Sequence, residues 1–335
     1  MKHKIKPGKT GDSRTRKQPR PKDQRTKVPE AFKEFADYLL GKGYSNRTAL
    51  GRIGDTERFL RWLKSQGIEI EAVTYGDILS YVQTLRKKVT QRTTSFYLNS
   101  LKHYFNFLQE SEVITENPVS QIQIRGIKRK KLYHILSKNE LESLYNNFEI
   151  PKEEAPHKNQ NWFKTSLMAS QRNKVMVGLM VYQGLTVQEL ASLTEQDIKL
   201  REGKIFVAGS RRSNERELKL EAHQILDLME YQLKTRNKIV QQAQKQTDKF
   251  FISTGNGEYF HNTMQKLIKK LTSQHGKVTS TNQIRASVIT HWLRLYNLRQ
   301  VQYMAGHRFV SSTEAYQIND LDDLQEDIMK FHPIN

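Results

Sequence analysis

The chain has 335 residues, with 55 Lys or Arg against 35 Asp or Glu and a net charge of +20, and its pI is about 9.8. A charge of that sign and size points to a polyanionic partner, most simply nucleic acid. The absence of cysteine excludes a disulfide framework, a thiolate zinc site and a cysteine nucleophile. With no apolar run of roughly 18 residues and no signal-peptide core, the expectation is a cytoplasmic protein without membrane association.

Residues 1–27 carry eleven Lys or Arg and two Asp, a local charge of +9, and almost no large apolar side chain. Such a segment cannot offset its own ordering entropy and reads as a disordered basic arm. It either follows DNA phosphates or serves as a solubilising tail.

Residues 28–112 read as four helices with short loops. Phe32, Phe35, Ala36 and Leu39 form the first apolar stripe, stopped by Gly41 and Gly43. Ser45, Thr74 and Thr90 stand where N-caps are expected, ahead of stripes through Ile53, Phe59 and Leu63, then Ile78, Val82 and Leu85, then Leu98, Leu101, Phe105 and Leu108. That pattern predicts a compact bundle. Arg47, Arg92 and Lys102 are its candidate phosphate contacts, as a class of helix-surface charges. Residues 113–134 read as a boundary. Asn117-Pro118 breaks the helix, and Arg125, Lys128, Arg129, Lys130 and Lys131 make a basic linker suited to phosphates.

Residues 135–335 read as a second domain, mostly helical with a small β-sheet. Ser137-Lys138-Asn139-Glu140 has capping-box spacing. A helix is predicted over Asn173 to Gln183, ended by Gly184, and Thr186-x-x-Glu189 opens the next. Lys204–Ala208 and Leu218–Leu220 read as strands around a polar turn, followed by a helix from Glu221, a short strand over Phe250–Ser253, and helices from His261 onward.

The informative stretch is residues 282–316. It holds Arg285, His307 after Gly306, and Tyr316 nine residues beyond His307. Arginine offers a planar fork of donors matched to phosphate. Histidine donates or shuttles a proton near neutral pH, and an activated tyrosine is a nucleophile. Together they suit attack on a phosphodiester. Taken singly, each has an ordinary structural explanation: a packed tyrosine, a salt-bridged arginine, a loop histidine.

With the block Gly184-Leu185-Thr186-Val187-Gln188-Glu189-Leu190 upstream, this spacing resembles the tyrosine recombinase, or phage integrase, family over roughly residues 28–330. The resemblance implies an N-terminal helical core-binding domain of SAM-like type and a C-terminal catalytic domain. Tyr316 is then the nucleophile that forms a 3′-phosphotyrosyl intermediate, with Arg285 and His307 on the phosphate and no metal or other cofactor. Three positions depart from the family pattern. Thr186 stands where a first arginine is expected, Ser210, followed by Arg211 and Arg212, where a hairpin lysine is expected, and Asn282 where a histidine is expected.

In this the chain is most similar to integrases of conjugative transposons that lack the first arginine, with Arg172, Arg211 and Arg212 as candidates to compensate. The alternative is a weakened or inactive DNA-binding accessory protein on the same fold. The resemblance further implies double-stranded recombination sites as partners, DNA-bending accessory proteins, and a homotetramer joined through the C-terminal stripe Leu321, Leu324, Ile328 and Phe331.

Overall fold

The computed structural model describes residues 28–126, 133–151, 159–244, 246–254 and 260–317. The basic arm, Lys128 to Lys131 and the C-terminal stripe lie outside the described residues. The chain divides into two compact units, Met1–Lys131 and Leu132–Asn335. Among the described residues no helix is long and apolar enough to cross a membrane.

The first unit holds α1 (Lys33–Gly41), α2 (Asn46–Gln66), α3 (Tyr75–Arg86) and α4 (Gln91–Glu110). The three caps form as expected: Ser45, Thr74 and Thr90 each accept from the backbone N–H three residues on, and at Thr74 the Asp77 carboxylate completes a capping box. The spacing of apolar residues on α2, α3 and α4 brings Phe59, Leu63, Ile78, Val82, Leu85, Leu98, Leu101 and Phe105 into one core. Residues after α4 also belong here. Val119 enters that core, and buried Asn117 bonds the Lys102 carbonyl, Asn106 Oδ1 and the Val119 N–H. Leu101 is fully enclosed. Its replacement by Ala should cost about 2–5 kcal/mol, measured as the loss of unfolding free energy in urea.

The second unit opens with α5 (Lys138–Asn146), set by the Ser137–Glu140 capping box. Next comes α6 (Asn161–Tyr182), which starts twelve residues before the predicted helix because Phe163 and Met168 extend its buried side towards the N-terminus. The short α7 (Val187–Ser192) follows from the Thr186–Glu189 capping box. An antiparallel sheet in the order β1 (Ile198–Lys199), β2 (Lys204–Val207), β3 (Arg216–Lys219) comes next, with Ile205 opposite Leu218 and Val207 opposite Arg216.

The strand expected over Phe250–Ser253 is absent. That segment makes a Thr194–Lys249 bridge, Phe250 N–H donates to the Leu193 carbonyl, and its own carbonyls accept from Tyr231 and Arg172 rather than from a strand, while aromatic packing buries it. The third strand is β1, too short to show alternation. Helices α8 (Ala222–Glu230), α9 (Arg236–Ala243), α10 (Phe260–Gln274), α11 (Thr281–Leu295) and α12 (Leu298–Ala305) complete the unit, and residues 310–317 are helical, here α13.

Candidate active site

Three elements of the second unit, α7, β3 and α11, meet at a buried carboxylate. Thr186 caps α7, and Glu189 reaches back to it: the Thr186 N–H and hydroxyl donate to Glu189 Oε2 at 2.8 and 2.9 Å. The other oxygen, Oε1, takes Arg216 Nη1 at 2.7 Å, and Arg285 Nη1 lies 3.7 Å from Oε2. Burial raises the Glu189 pKa, but the Arg216 hydrogen bond and charge, with Arg285, more than offset it and hold the carboxyl below its ordinary range.

Arg285 sits on α11, 8% exposed. Its Nη1 donates to the Gly184 carbonyl and its Nη2 to the Ala305 carbonyl at 2.6 Å, so the fork bridges the end of α6 and the end of α12. Burial lowers its pKa, with Glu189 acting against that and the Tyr316 phenol adding a hydrogen bond. An arginine so placed stays charged.

Arg216 is the residue that sequence reasoning missed. Its side chain is fully enclosed. Nε donates to the Met304 carbonyl at 2.8 Å and Nη1 to Glu189, while Nη2 is buried with no partner among the described residues. A signal was present. Leu218 and Leu220 face inward, so the period of two puts Arg216 on the buried face, provided the strand starts two residues earlier than Leu218. The outward Glu217 pairs instead with Lys199 and Lys204.

Gly306 ends α12 with φ of +68°, where a side chain is strained, and a Cβ there would strike Arg216 Nη1. The next residue, His307, stacks on Tyr316 of α13, ring centroids 5.7 Å apart and nearly parallel. Its Nδ1 lies 2.9 Å from Thr313 Oγ1. Burial pushes the His307 pKa down to about 4, with Arg285 and Arg216 adding to the shift and Glu189 opposing it. The imidazole is therefore neutral at pH 7.

The structure thus brings Arg285, His307 and Tyr316 together, with Thr186 beside them as a cap. It does not bring the other candidates to Glu189. Arg211 and Arg212 are exposed at the β2–β3 turn, where Ser210 Oγ accepts from the Arg212 and Ser213 N–H groups. That turn is tied to the His307 segment by Asn214 N–H to the Gly306 carbonyl and Arg308 Nη2 to the Ser210 carbonyl. Arg172 is buried and committed to the Ile252 carbonyl and the Asn173 side chain. Asn282 is exposed one turn before Arg285. In the first unit Arg47, Arg92, Lys102 and Arg125 are all exposed, Lys102 donating to the Ser120 carbonyl.

A model described as "Phage integrase family" matches residues 134–321, and one described as "Phage integrase, N-terminal SAM-like domain" matches residues 32–112. Among curated relatives, tyrosine recombinase XerC of Bacillus licheniformis is 28% identical over 310 residues, spanning 89% of this chain and 95% of that protein. Tyrosine recombinase XerD of Shewanella oneidensis is 28% identical over 301 residues, spanning 89% and 94%. Among solved structures, the Tn1549 transposon integrase in complex with a circular intermediate DNA has a TM-score of 0.56 at 17% identity, over 84% of this chain and 93% of that one. XerH bound to palindromic difH, a post-cleavage complex, has a TM-score of 0.59 at 17% identity, over 83% and 76%. At such identities these structures share the fold.

Two outcomes follow from the geometry. Gly306→Ala should cost more than about 1 kcal/mol through its left-handed backbone alone and displace the Arg216 guanidinium, visible as a lowered melting temperature. Because His307 resists protonation in the folded state, the unfolded chain binds the extra proton between the ordinary histidine pKa and about 4. Stability of the second unit should therefore fall as pH drops through that window, and His307→Gln should flatten this slope in denaturant titrations.

Proposed function

The chain belongs to the phage integrase family and is a tyrosine-type DNA recombinase, and we propose that Tyr316 cuts and rejoins DNA within this site using a second guanidinium drawn from an unexpected position. The phenol oxygen attacks phosphorus and loses its proton. The P–O5′ bond breaks, the 5′-oxygen takes up a proton, and a 3′-phosphotyrosyl link remains. Attack by a partner strand's 5′-hydroxyl reverses the step and rejoins the DNA.

The observation that carries this reading is the Arg216–Glu189–Arg285 cluster. Where the family pattern has an arginine, Thr186 supplies only a cap. Arg216 enters from β3 to occupy the carboxylate that such an arginine would need. Its unmatched buried Nη2 supports a ligand oxygen as the missing partner. Two guanidinia and a carboxylate leave one net positive charge for a phosphate that gains negative charge during attack.

On this reading the substrate is a double-stranded recombination site, and the exposed Arg47, Arg92, Lys102 and Arg125 of the first unit touch its phosphates. The absence of an arginine at position 186 supports a mobile-element integrase. A tetramer linked through residues 321–331, accessory DNA-bending proteins and a cytoplasmic setting belong to the same reading and rest on the residue pattern.

A nicked suicide duplex carrying the element's end tests the proposal. Wild type should give a covalent protein–DNA band, and Tyr316→Phe none. Arg216→Ala should slow its formation by about 10²–10³ while DNA binding in a gel shift persists. A band that survives Tyr316→Phe would overturn the assignment of the nucleophile. The departures at Ser210 and Asn282 favour a second reading, a DNA-binding accessory protein. Tight binding with no band from wild type would support that reading instead.

A further inference from the structure

We propose that Thr313 is a positioning residue that fixes His307 in the tautomer whose proton sits on Nε2, so that the imidazole presents a hydrogen-bond donor to the site. Thr313 is fully enclosed and lies three residues before Tyr316 on α13, on the same helical face. Its Oγ1 is 2.9 Å from His307 Nδ1.

Among the described residues, His307 Nδ1 is the hydrogen-bond partner that the Thr313 hydroxyl meets. Two arrangements of that contact exist. If Nδ1 carried a proton, the hydroxyl would accept it and its own proton would be left buried and unmatched, at a cost of about 1–3 kcal/mol. If Nδ1 is bare, the hydroxyl donates, both groups are satisfied, and the ring proton resides on Nε2. The second arrangement satisfies both atoms of the contact.

The surrounding charges make the tautomer matter. An imidazolium would donate from both nitrogens, and no partner would be needed to choose between them. Here the groups facing the ring are Arg285 on α11 and Arg216 on β3, opposed by Glu189 on α7, with the Tyr316 ring stacked beside it. Two guanidinia against one carboxylate disfavour a third positive charge. A neutral ring can donate from one nitrogen alone, and Thr313 determines which. The assignment of the tautomer is independent of the reaction, whereas its consequence for strand cleavage rests on the reading that Tyr316 attacks a phosphodiester.

Nitrogen NMR of the full chain with labelled histidine tests this, the His307 signals being assigned by their loss in His307→Gln. Wild type should show a bare Nδ1 and a protonated Nε2, and a protonated Nδ1 would overturn the proposal. Thr313→Val, which keeps shape but removes the hydroxyl, should move the Nδ1 signal towards exchanging tautomers. It should also slow covalent capture on the nicked duplex about tenfold or more, as for hydrogen-bond partners behind other functional histidines, with DNA affinity unchanged.

Thr313→Ser should restore both signals, which a role in packing alone would not do. A Val variant with unaltered tautomer and rate, or a Ser variant that rescues neither, would sink the idea. A wild-type protein that shows the stated tautomer but forms no covalent product would support the Thr313 contact and overturn Tyr316 as nucleophile.

Discussion

The site depends on one buried carboxylate. Glu189 has little contact with solvent, and a charge in that position persists only where opposite charge and hydrogen bonds surround it. Arg216 and Arg285 supply the charge, and the Thr186 N–H and hydroxyl complete its acceptor sites. The dependence also runs the other way. Two guanidinia brought together in a poorly solvated space repel each other, and only a carboxylate between them makes the arrangement tolerable. The capping box at the start of α7 is therefore more than a helix signal, because the cap fixes the carboxylate that lets two arginines share one pocket.

From that constraint the backbone of the surrounding elements follows. Arg285 is held by the carbonyls of Gly184 and Ala305, which lie at the C-terminal ends of α6 and α12. Arg216 takes the Met304 carbonyl, from the last turn of α12. Helix C-termini present unsatisfied carbonyls and partial negative charge, so each is a natural seat for a cation. Gly306 lets the chain leave α12 in a left-handed turn without filling the space that Arg216 needs. The residue that follows, His307, is delivered onto the ring of Tyr316.

Much of this was legible from residues alone, and the reasons differ by element. The caps at Ser45, Thr74, Thr90, Ser137 and Thr186 were readable because capping is local chemistry at fixed spacing. Arg285, His307 and Tyr316 could be grouped because their order and spacing resemble the family pattern. Arg216 lay outside that pattern. It is 69 residues from Arg285, and its inward direction depends on where β3 begins, since a strand boundary is the least secure part of a periodic pattern. Arg211 and Arg212 looked better placed because they follow the glycine of the hairpin, yet a turn exposes its tip while the strand beneath it faces the core. The strand expected over Phe250–Ser253 failed for a related reason: a short apolar run is equally suited to a buried irregular segment filled by aromatic packing.

The β2–β3 turn, where the hairpin lysine is missing, is tied directly to the histidine segment. Ser213 bridges to His307, Asn214 donates to the Gly306 carbonyl, and Arg308 donates to the Ser210 carbonyl. The turn and the His307 segment are thereby one hydrogen-bonded unit, with Arg216 rooted in the same strand beneath. Displacing the turn would strain the histidine on one side and the buried guanidinium on the other. The hairpin is thus held through its backbone at the turn and through the buried Arg216 at its base. Arg216, proposed above in place of the first arginine, is seated at the base of this hairpin, where burial makes each hydrogen bond electrostatically stronger than in water.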